Sequence, residues 1–284
     1  MRELKSALDR LYGTFDAVFL SPDPIEYVHR FTDPRDQEIA GLIASSLAYG
    51  RVDQIKKSIE RVMEIMEWSP YAFTKAFMPE RDGKVFDGFV HRFNTGKDIA
   101  CLVSFARQMI EGSGSIGGFF MRGVGPGEGT IRGALARFSA AALALNSAQI
   151  YGKRPLPEKA GVRFFFPSPK NGSPCKRLNL YLRWMVRRGD ELDFGLWRGI
   201  DPATLIIPLD THVARISRNI GLTIRRSADW RMAEEITANL ARLDPHDPVK
   251  YDFALCRLGI LDHCPKRRNP ARCRTCLIRE LCLL

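Results

Sequence analysis

The amino-acid sequence predicts an all-α protein, on two observations. Apolar residues recur at helical spacing in several segments, and no convincing segment shows the alternation of apolar and polar residues typical of a half-buried strand. The clearest apolar stripes are formed by Ile39, Leu42, Ile43 and Leu47, by Ile55, Ile59, Val62, Met63 and Met66, and by Leu178, Tyr181, Leu182, Met185 and Val186. Further helices are expected near 210–219, 230–242 and 248–260.

The first two stripes predict a pair of packed helices within residues 34–67. The first of these helices has a start signal in Asp33-Pro34, a capping residue followed by proline at the first helical position. Tyr49-Gly50-Arg51 is the expected turn between the two helices.

Two segments in the middle of the chain predict loops. Eight glycines lie between Gly112 and Gly129, a density that disfavours a regular helix or strand. Residues 153–174 contain five prolines and enclose Phe164-Phe165-Phe166, which predicts a partly extended connector. The three phenylalanines either pack in the core, the commoner role, or offer faces on which bases stack.

The composition is that of a folded globular protein, with 45% apolar and 26% charged residues among 284. The first residues, MRELKSALDRLYGTF, mix charged and apolar groups and lack the apolar core of a signal peptide. The longest apolar stretch falls well short of the roughly 20 residues that span a bilayer. We therefore expect a cytoplasmic protein without a membrane segment.

The net charge of +11 is unevenly distributed along the chain. Residues 1–150 hold 18 Lys and Arg against 18 Asp and Glu, whereas residues 151–284 hold 25 against 14, so the second part carries the whole excess. Basic side chains displace counterions from phosphates, which favours a nucleic-acid partner. Contact with a ribosome or a membrane surface, or plain solubility, are the alternatives.

The strongest chemical signal is a C-x8-C-x2-C-x5-C pattern formed by Cys264, Cys273, Cys276 and Cys282. In a reducing compartment such thiols bind metal rather than form disulfides. Four thiolates can hold an iron–sulfur cluster or a single zinc ion. Zinc sites often use two C-x2-C pairs, and the single pair here favours iron–sulfur, with zinc as the alternative.

The segment around these cysteines, HCPKRRNPARCRTCLIRELC, resembles the cluster loop of endonuclease III and its adenine-glycosylase relatives in the helix-hairpin-helix DNA glycosylase superfamily. The resemblance implies a 4Fe-4S cluster held by the four cysteines. The x2 and x5 spacings agree with that loop, while the first gap is eight residues instead of six, a difference that a surface loop accommodates.

A second segment, IIPLDTHVARISRNIGL, is similar to the one that carries the essential aspartate in the same superfamily. The resemblance implies a catalytic role for Asp210. Such a carboxylate can stabilise positive charge on a deoxyribose as its base departs and can deprotonate the nucleophile. The competing interpretation is that Asp210 is simply the cap of the helix that follows.

Lys176 is the candidate nucleophile that lysine-using members of the superfamily imply. Ser173-Pro174 predicts a helix start with Lys176 at the third position, where the helix dipole and Arg177 disfavour the ammonium form. Alternatively, Lys176 and Arg177 only bind a phosphate there. The usual glycine hairpin is absent before Lys176, and its distance from Asp210 is nearer the layout of archaeal 8-oxoguanine DNA glycosylases.

Further DNA contacts are expected from basic and aromatic residues. The segment IASSLAYGRVDQIKKSIERV resembles the opening helix and turn of the superfamily, which implies that Tyr49 and Arg51 contact the duplex. The other predicted DNA-binding residues are Arg177, Arg215, Arg267 and Arg268.

Together these features predict a two-lobed helical fold like that of the DNA glycosylases, with a C-terminal four-cysteine cluster loop. One lobe would span 36–205, and the other would combine 1–35 with 206–284. The implied function is base-excision repair of damaged double-stranded DNA, with an oxidised base as the favoured lesion, by a monomeric, nucleoid-associated glycosylase with AP lyase activity. The alternatives are a non-catalytic iron–sulfur nucleic-acid-binding protein and an iron–sulfur redox or sensing protein.

Overall fold

A computed structural model describes residues 1–261, 263–265 and 267–283 of the chain. The structure is mainly helical, which confirms the predicted all-α class. The helices are α1 (Arg2–Thr14), α2 (Ile25–Val28), α3 (Pro34–Leu47), α4 (Val52–Ile65), α5 (Pro70–Ala76), α6 (Pro79–Asp82), α7 (Gly96–Ser113), α8 (Ile116–Met121), α9 (Arg132–Leu143), α10 (Ala148–Tyr151), α11 (Lys176–Val186), α12 (Thr211–Asn219), α13 (Trp230–Ala241), α14 (Asp252–Ile260) and α15 (Pro270–Arg274). Two short antiparallel strands, β1 (Val90–His91) and β2 (Asn94–Thr95), precede α7.

The chain divides into two compact units. The terminal unit combines Met1–Leu20 with Gly172–Leu284, and the central unit is Ser21–Asn171. The division therefore falls at different residues from the predicted boundaries at 36 and 205. The physical reason is α11, whose buried arginines pair with aspartates further along the chain and so bind this helix to the terminal unit.

The predicted helix pair of the central unit is present as α3 and α4. The Asp33 side chain accepts a hydrogen bond from the backbone N–H of Arg35, and Pro34 occupies the first helical position, as the sequence predicts. The apolar stripes of both helices, Ile39 and Ile59 among them, are buried. Local capping and helical periodicity thus determined this pair.

The glycine-rich segment is less irregular than its composition predicts. Helix α7 ends at Ser113, where Gly114 adopts a left-handed conformation with φ of +80°. Helix α8 then forms in spite of its glycines, because the buried Glu38 carboxylate accepts hydrogen bonds from the N–H groups of Ile116 and Gly117 at 3.1 and 2.8 Å. The Ser115 side chain adds a local cap by accepting a hydrogen bond of 2.8 Å from the Gly118 N–H, so a local and a long-range cap together override the preference of the glycines for a loop.

The core of the terminal unit contains a buried set of charges. Arg183 of α11 pairs with Asp193 at 3.2 Å and with Asp252 at 2.5 Å. Arg187, one turn later, pairs with Asp193 and Asp247, each at 2.8 Å. Both arginine side chains are only 3% exposed. Because buried charges are costly unless paired, this network fixes α11 against the start of α14 and the segment before it.

No helix among the described residues is both long and apolar enough to cross a membrane.

Candidate active site and cysteine pocket

Asp210 is the N-cap of α12, as both interpretations of the sequence require. Its Oδ1 atom accepts a hydrogen bond of 2.7 Å from the backbone N–H of Val213, and its own backbone is extended. The side chain is half-buried. Since one carboxylate oxygen satisfies the helix end, the other oxygen, Oδ2, can serve a second purpose.

Helix α14 supplies the surroundings of that second oxygen. The Cys256 thiol lies 3.4 Å from Asp210 Oδ2, to which it donates a hydrogen bond. Asp252, Cys256 and Gly259 are spaced i, i+4 and i+7, so they share one face of α14. Gly259 lets His212 pack closely, because a Cβ at this position would lie 2.6 Å from the His212 Cβ. The Asp-Thr-His segment is therefore held by one face of α14.

Asp252 places a second carboxyl group in the electrostatic environment of Asp210. The pKa of Asp252 is raised to about 7 overall. Burial is the main cause and the negative charge of Asp210 adds to it, whereas Arg183 acts in the opposite direction. The Asp252 Oδ1 atom has no hydrogen-bond partner among the described residues. Near neutral pH, Asp252 can therefore carry a proton.

Lys176 lies at the start of α11, but as its first residue rather than its third. Cys175 is the residue before the helix and adopts a left-handed conformation with φ of +47°, and its N–H donates to Ser173 Oγ at 3.2 Å. The predicted start at Ser173-Pro174 is therefore wrong by two residues, because Pro174 belongs to the turn. Lys176 precedes Arg183 by seven residues, so both lie on the same face of α11.

Two of the predicted DNA-binding arginines make limited use of solvent: Arg177 is largely buried, and Arg215 is hydrogen-bonded within the protein. Arg177 is only 8% exposed, so only a small part of this residue is accessible for contact with a phosphate. Arg215 donates through Nη1 to the Cys264 sulfur at 3.1 Å and to the Pro265 carbonyl at 3.0 Å. Its position ties α12 directly to the cysteine segment.

The four predicted ligand cysteines line one cavity of about 100 Å³. Burial raises the pKa of the Cys276 thiol, and the nearby sulfurs of Cys264, Cys282 and Cys273 raise it further, although a hydrogen bond from Ile278 acts in the opposite direction. Asn219, at the end of α12, also lines this cysteine pocket. The tail thus folds its four thiols around a common space.

The lining of the cysteine pocket is rich in sulfur and positive charge. Arg268 and Arg279 contribute to it, together with His263, and no carboxylate is found among its described lining residues. Across the described part of the chain, no three His, Cys, Asp or Glu side chains form a group that could hold a metal ion. Arg267 and Arg268 are exposed, as DNA contacts would need to be.

The remaining predicted contacts, Tyr49 and Arg51, lie in the turn between α3 and α4 of the central unit. The Tyr49 hydroxyl bonds to Asn94 Oδ1 at 2.5 Å and to the His91 carbonyl at 3.0 Å. The Arg51 side chain is 86% exposed and lies 4.0 Å from Asp53. Arg51 is therefore accessible, whereas Tyr49 is anchored by the β1–β2 hairpin.

Sequence reasoning missed two members of the Asp210 environment. The sequence motifs assign no role to either the Cys256 thiol or the Asp252 carboxyl. Their i, i+4 spacing on a helix was a usable signal, since it places both side chains on one face. What the sequence could not give is the partner of that face, which depends on how α12 and α14 pack.

The described residues define a mainly helical protein of two compact units, one of which combines a capped aspartate with a four-cysteine pocket. The chain belongs to the family described as "Protein of unknown function (DUF2400)", which matches residues 23–261. The match includes Lys176, Asp210 and Cys256 and ends before the four cysteines of the pocket. No curated protein and no solved structure matches the chain.

Proposed function

We propose that the protein is a DNA glycosylase of the helix-hairpin-helix type, with a two-lobed fold of that superfamily. The observation that carries the proposal is that a single helix, α12, connects Asp210 with the cysteine pocket. Asp210 stands at the start of this helix, and Arg215 and Asn219 further along it contact the cysteine pocket. One helix of nine residues, about 14 Å long, thus joins the two features that resemble this superfamily.

The chemistry proposed at Asp210 is cleavage of a glycosidic bond. A nucleophile attacks C1′ of a deoxyribose, the bond from C1′ to the base nitrogen breaks, and the base departs with the electron pair and takes up a proton. The Asp210 carboxylate stabilises the positive charge that develops on the sugar and accepts the proton of the nucleophile. The hydrogen bond from Cys256 to Oδ2 orients the carboxylate for this role.

Lys176 is the proposed nucleophile if the enzyme also cleaves the strand. Its amine would displace the base from C1′ and form a Schiff base, from which elimination breaks the 3′ phosphate bond. Support comes from its place at the start of α11, on the same face as Arg183, which contacts Asp252 beside Asp210. With water as the nucleophile, Lys176 would instead bind a phosphate.

Base release and borohydride trapping test the proposal directly. We expect wild-type protein to act on at least one duplex bearing 8-oxoguanine, uracil, an oxidised pyrimidine or an abasic site, and borohydride to capture a covalent adduct. Lys176→Gln should lose the adduct because it lacks the amine. Lys5→Gln, which changes a half-exposed lysine of the same unit, is the control and should retain it.

The outcomes separate the alternatives. Base release without an adduct would assign water as the nucleophile and leave Lys176 as a phosphate contact. Binding without base release on every duplex would contradict the glycosylase proposal and favour a non-catalytic nucleic-acid-binding protein.

We further propose that Cys264, Cys273, Cys276 and Cys282 hold a 4Fe-4S cluster. The chemistry of the donor set supports the proposal, because four thiols line one pocket and soft thiolates are the usual ligands of iron–sulfur clusters. In the described residues these thiols are not grouped closely enough to hold one metal ion, so binding the cluster would draw them together. Zinc is the alternative occupant. When bound, the cluster would fix the tail around a metal–sulfur core and so orient the exposed arginines of this segment toward phosphates.

Metal analysis of purified protein tests this assignment. Anaerobically purified wild type is expected to be brown and to contain iron and acid-labile sulfide, whereas Cys276→Ser should lose most of both. Cys256→Ser is the matched control, since this cysteine lies outside the pocket, and it should retain the iron. Stoichiometric zinc without iron in wild type would contradict the proposal.

A further inference from the structure

The central unit exposes aromatic side chains at one place. Among the residues the structure describes, Phe93 at 56% and Phe164 at 36% are the exposed phenylalanines. Their ring centroids lie only 4.4 Å apart. Isolated exposed apolar residues are common, but two exposed aromatic rings in contact form a patch and point to a ligand.

Tyr49 completes this patch, which we call the aromatic platform (Tyr49, Phe93 and Phe164). The Tyr49 ring lies 5.4 Å from Phe93 and 4.8 Å from Phe164, measured between centroids. The other two phenylalanines of the triplet, Phe165 and Phe166, are 0% and 2% exposed and belong to the core. Within the triplet, Phe165 and Phe166 therefore pack in the core, whereas Phe164 is exposed.

Buried polar contacts hold the platform in place. His91 bonds through Nδ1 to Ser58 Oγ at 2.8 Å and through Nε2 to the Tyr49 carbonyl at 3.0 Å. Asn94 donates to the Gly161 carbonyl at 3.0 Å, which joins the hairpin to the segment that carries Phe164. The exposed rings are thus preorganised, so binding of a ligand costs little free energy for ordering the protein side chains.

Positive charge flanks the platform. Arg51 follows Tyr49 by two residues and has an 86% exposed side chain, with Asp53 4.0 Å away. Arg92 precedes Phe93 and is exposed, and its side chain packs over Gly50. Arg92 adopts φ of +56°, a left-handed conformation that is unfavourable for a side chain of this size. Aromatic faces beside guanidinium groups suit a planar base joined to a phosphate.

From this juxtaposition we infer that the aromatic platform binds an unpaired base of DNA by stacking, with Arg51 and Arg92 on the neighbouring phosphates. The inference goes beyond the chemistry at Asp210, because it requires only that the protein bind nucleic acid. It assigns a binding role to Phe93, Phe164 and Arg92. For Tyr49, which the sequence predicts to contact the duplex, it names an unpaired base as the group contacted.

The test is binding of a short oligothymidylate that carries one 2-aminopurine, a base whose fluorescence is quenched when it stacks. Wild type should bind and quench it, and should bind the fully paired duplex of the same sequence, in which the label is already stacked, without a further change in fluorescence. Phe93→Ala and Phe164→Ala are each expected to weaken binding by about tenfold and to abolish the quenching. Phe93→Trp should preserve both, because tryptophan also offers an aromatic face.

Val90→Ala is the matched control, since Val90 is 63% exposed on the same hairpin but is not aromatic, and it should bind like wild type. Equal binding by wild type and Phe93→Ala, or full quenching by Phe93→Leu, would overturn the inference. So would a change of oligomeric state in Phe93→Ala with unchanged DNA binding, because the patch would then be a protein interface. Asp210→Asn should quench normally, so failure of base release and failure of stacking are distinguishable.

Discussion

Asp210→Asn is expected to reduce base release by about a thousandfold while leaving the fold intact. Asparagine keeps the oxygen that accepts the Val213 N–H, and asparagine and aspartate are nearly equivalent helix caps, so stability should change by only about 0.5 kcal/mol or less. What is lost is the negative charge opposite the developing charge on the sugar. Single-turnover base release and thermal unfolding measure the two effects separately.

The chain offers a close control in Asp229. This residue caps α13 of the same unit in the same way, accepting the Met232 N–H at 2.9 Å with a nearly identical backbone conformation. Asp229→Asn should therefore retain wild-type base release. If Asp210→Asn and Asp229→Asn were equally active, Asp210 would be a structural cap and the catalytic assignment would be wrong.

Arg187→Met is expected to destabilise the protein by about 3–5 kcal/mol. Arg187 pairs with Asp190, Asp193 and Asp247 at 2.6, 2.8 and 2.8 Å. Burial alone would lower the pKa of this guanidinium, but Asp193, Asp247 and Asp190 raise it overall, so the group stays charged. Without it, several buried carboxylates lose their counter-charge. The midpoint of urea unfolding at pH 7 measures the loss.

The loss should depend on pH in a defined direction. Burial raises the pKa of Asp190, but Arg187 and the Tyr12 hydroxyl help to hold it below its ordinary value of 3.8. A lowered pKa contributes stability above the unfolded-state pKa, and this contribution disappears as the pH falls. The difference between wild type and Arg187→Met should therefore shrink as the pH falls below 3.8, through the folded-state pKa of Asp190. The exposed neighbour Arg188→Met is the control and should lie within about 0.5 kcal/mol of wild type. A small, pH-independent effect of Arg187→Met would show that the network contributes little.

The sequence predicted features that depend on neighbouring residues in the chain. The α3–α4 pair, the Asp33 cap and the Asp210 cap all follow from periodicity and capping rules. The start of α11 was placed two residues early, because Pro174 was assigned to the helix rather than to the turn before it. Helix α8 was not expected, since its glycines outweigh the local Ser115 cap and the second cap comes from Glu38, 78 residues away in the chain.

The candidate site shows the same division between local and distant information. Asp210, Lys176 and the four cysteines could be selected from sequence because each lies in a local motif. The thiol of Cys256 and the carboxyl of Asp252 belong to the site only because they lie close to Asp210, which is about 40 residues earlier in the chain. Phe93 and Phe164 belong to separate segments that the hairpin brings into contact. Such pairings are set by tertiary packing, which single-sequence periodicity does not encode.

The discontinuous terminal unit has a consequence for how the chain folds during synthesis. Helix α1 leaves the ribosome well before its partners, since Tyr12 bonds with Asp190 at 2.8 Å and Asp9 with Tyr251 at 2.7 Å, across separations of 178 and 242 residues. The continuous central unit, Ser21–Asn171, can form its internal contacts before the partners of α1 have been synthesised. Such distant pairings slow folding, so the amphipathic α1 remains open to chaperones and proteases until the C-terminal segment emerges.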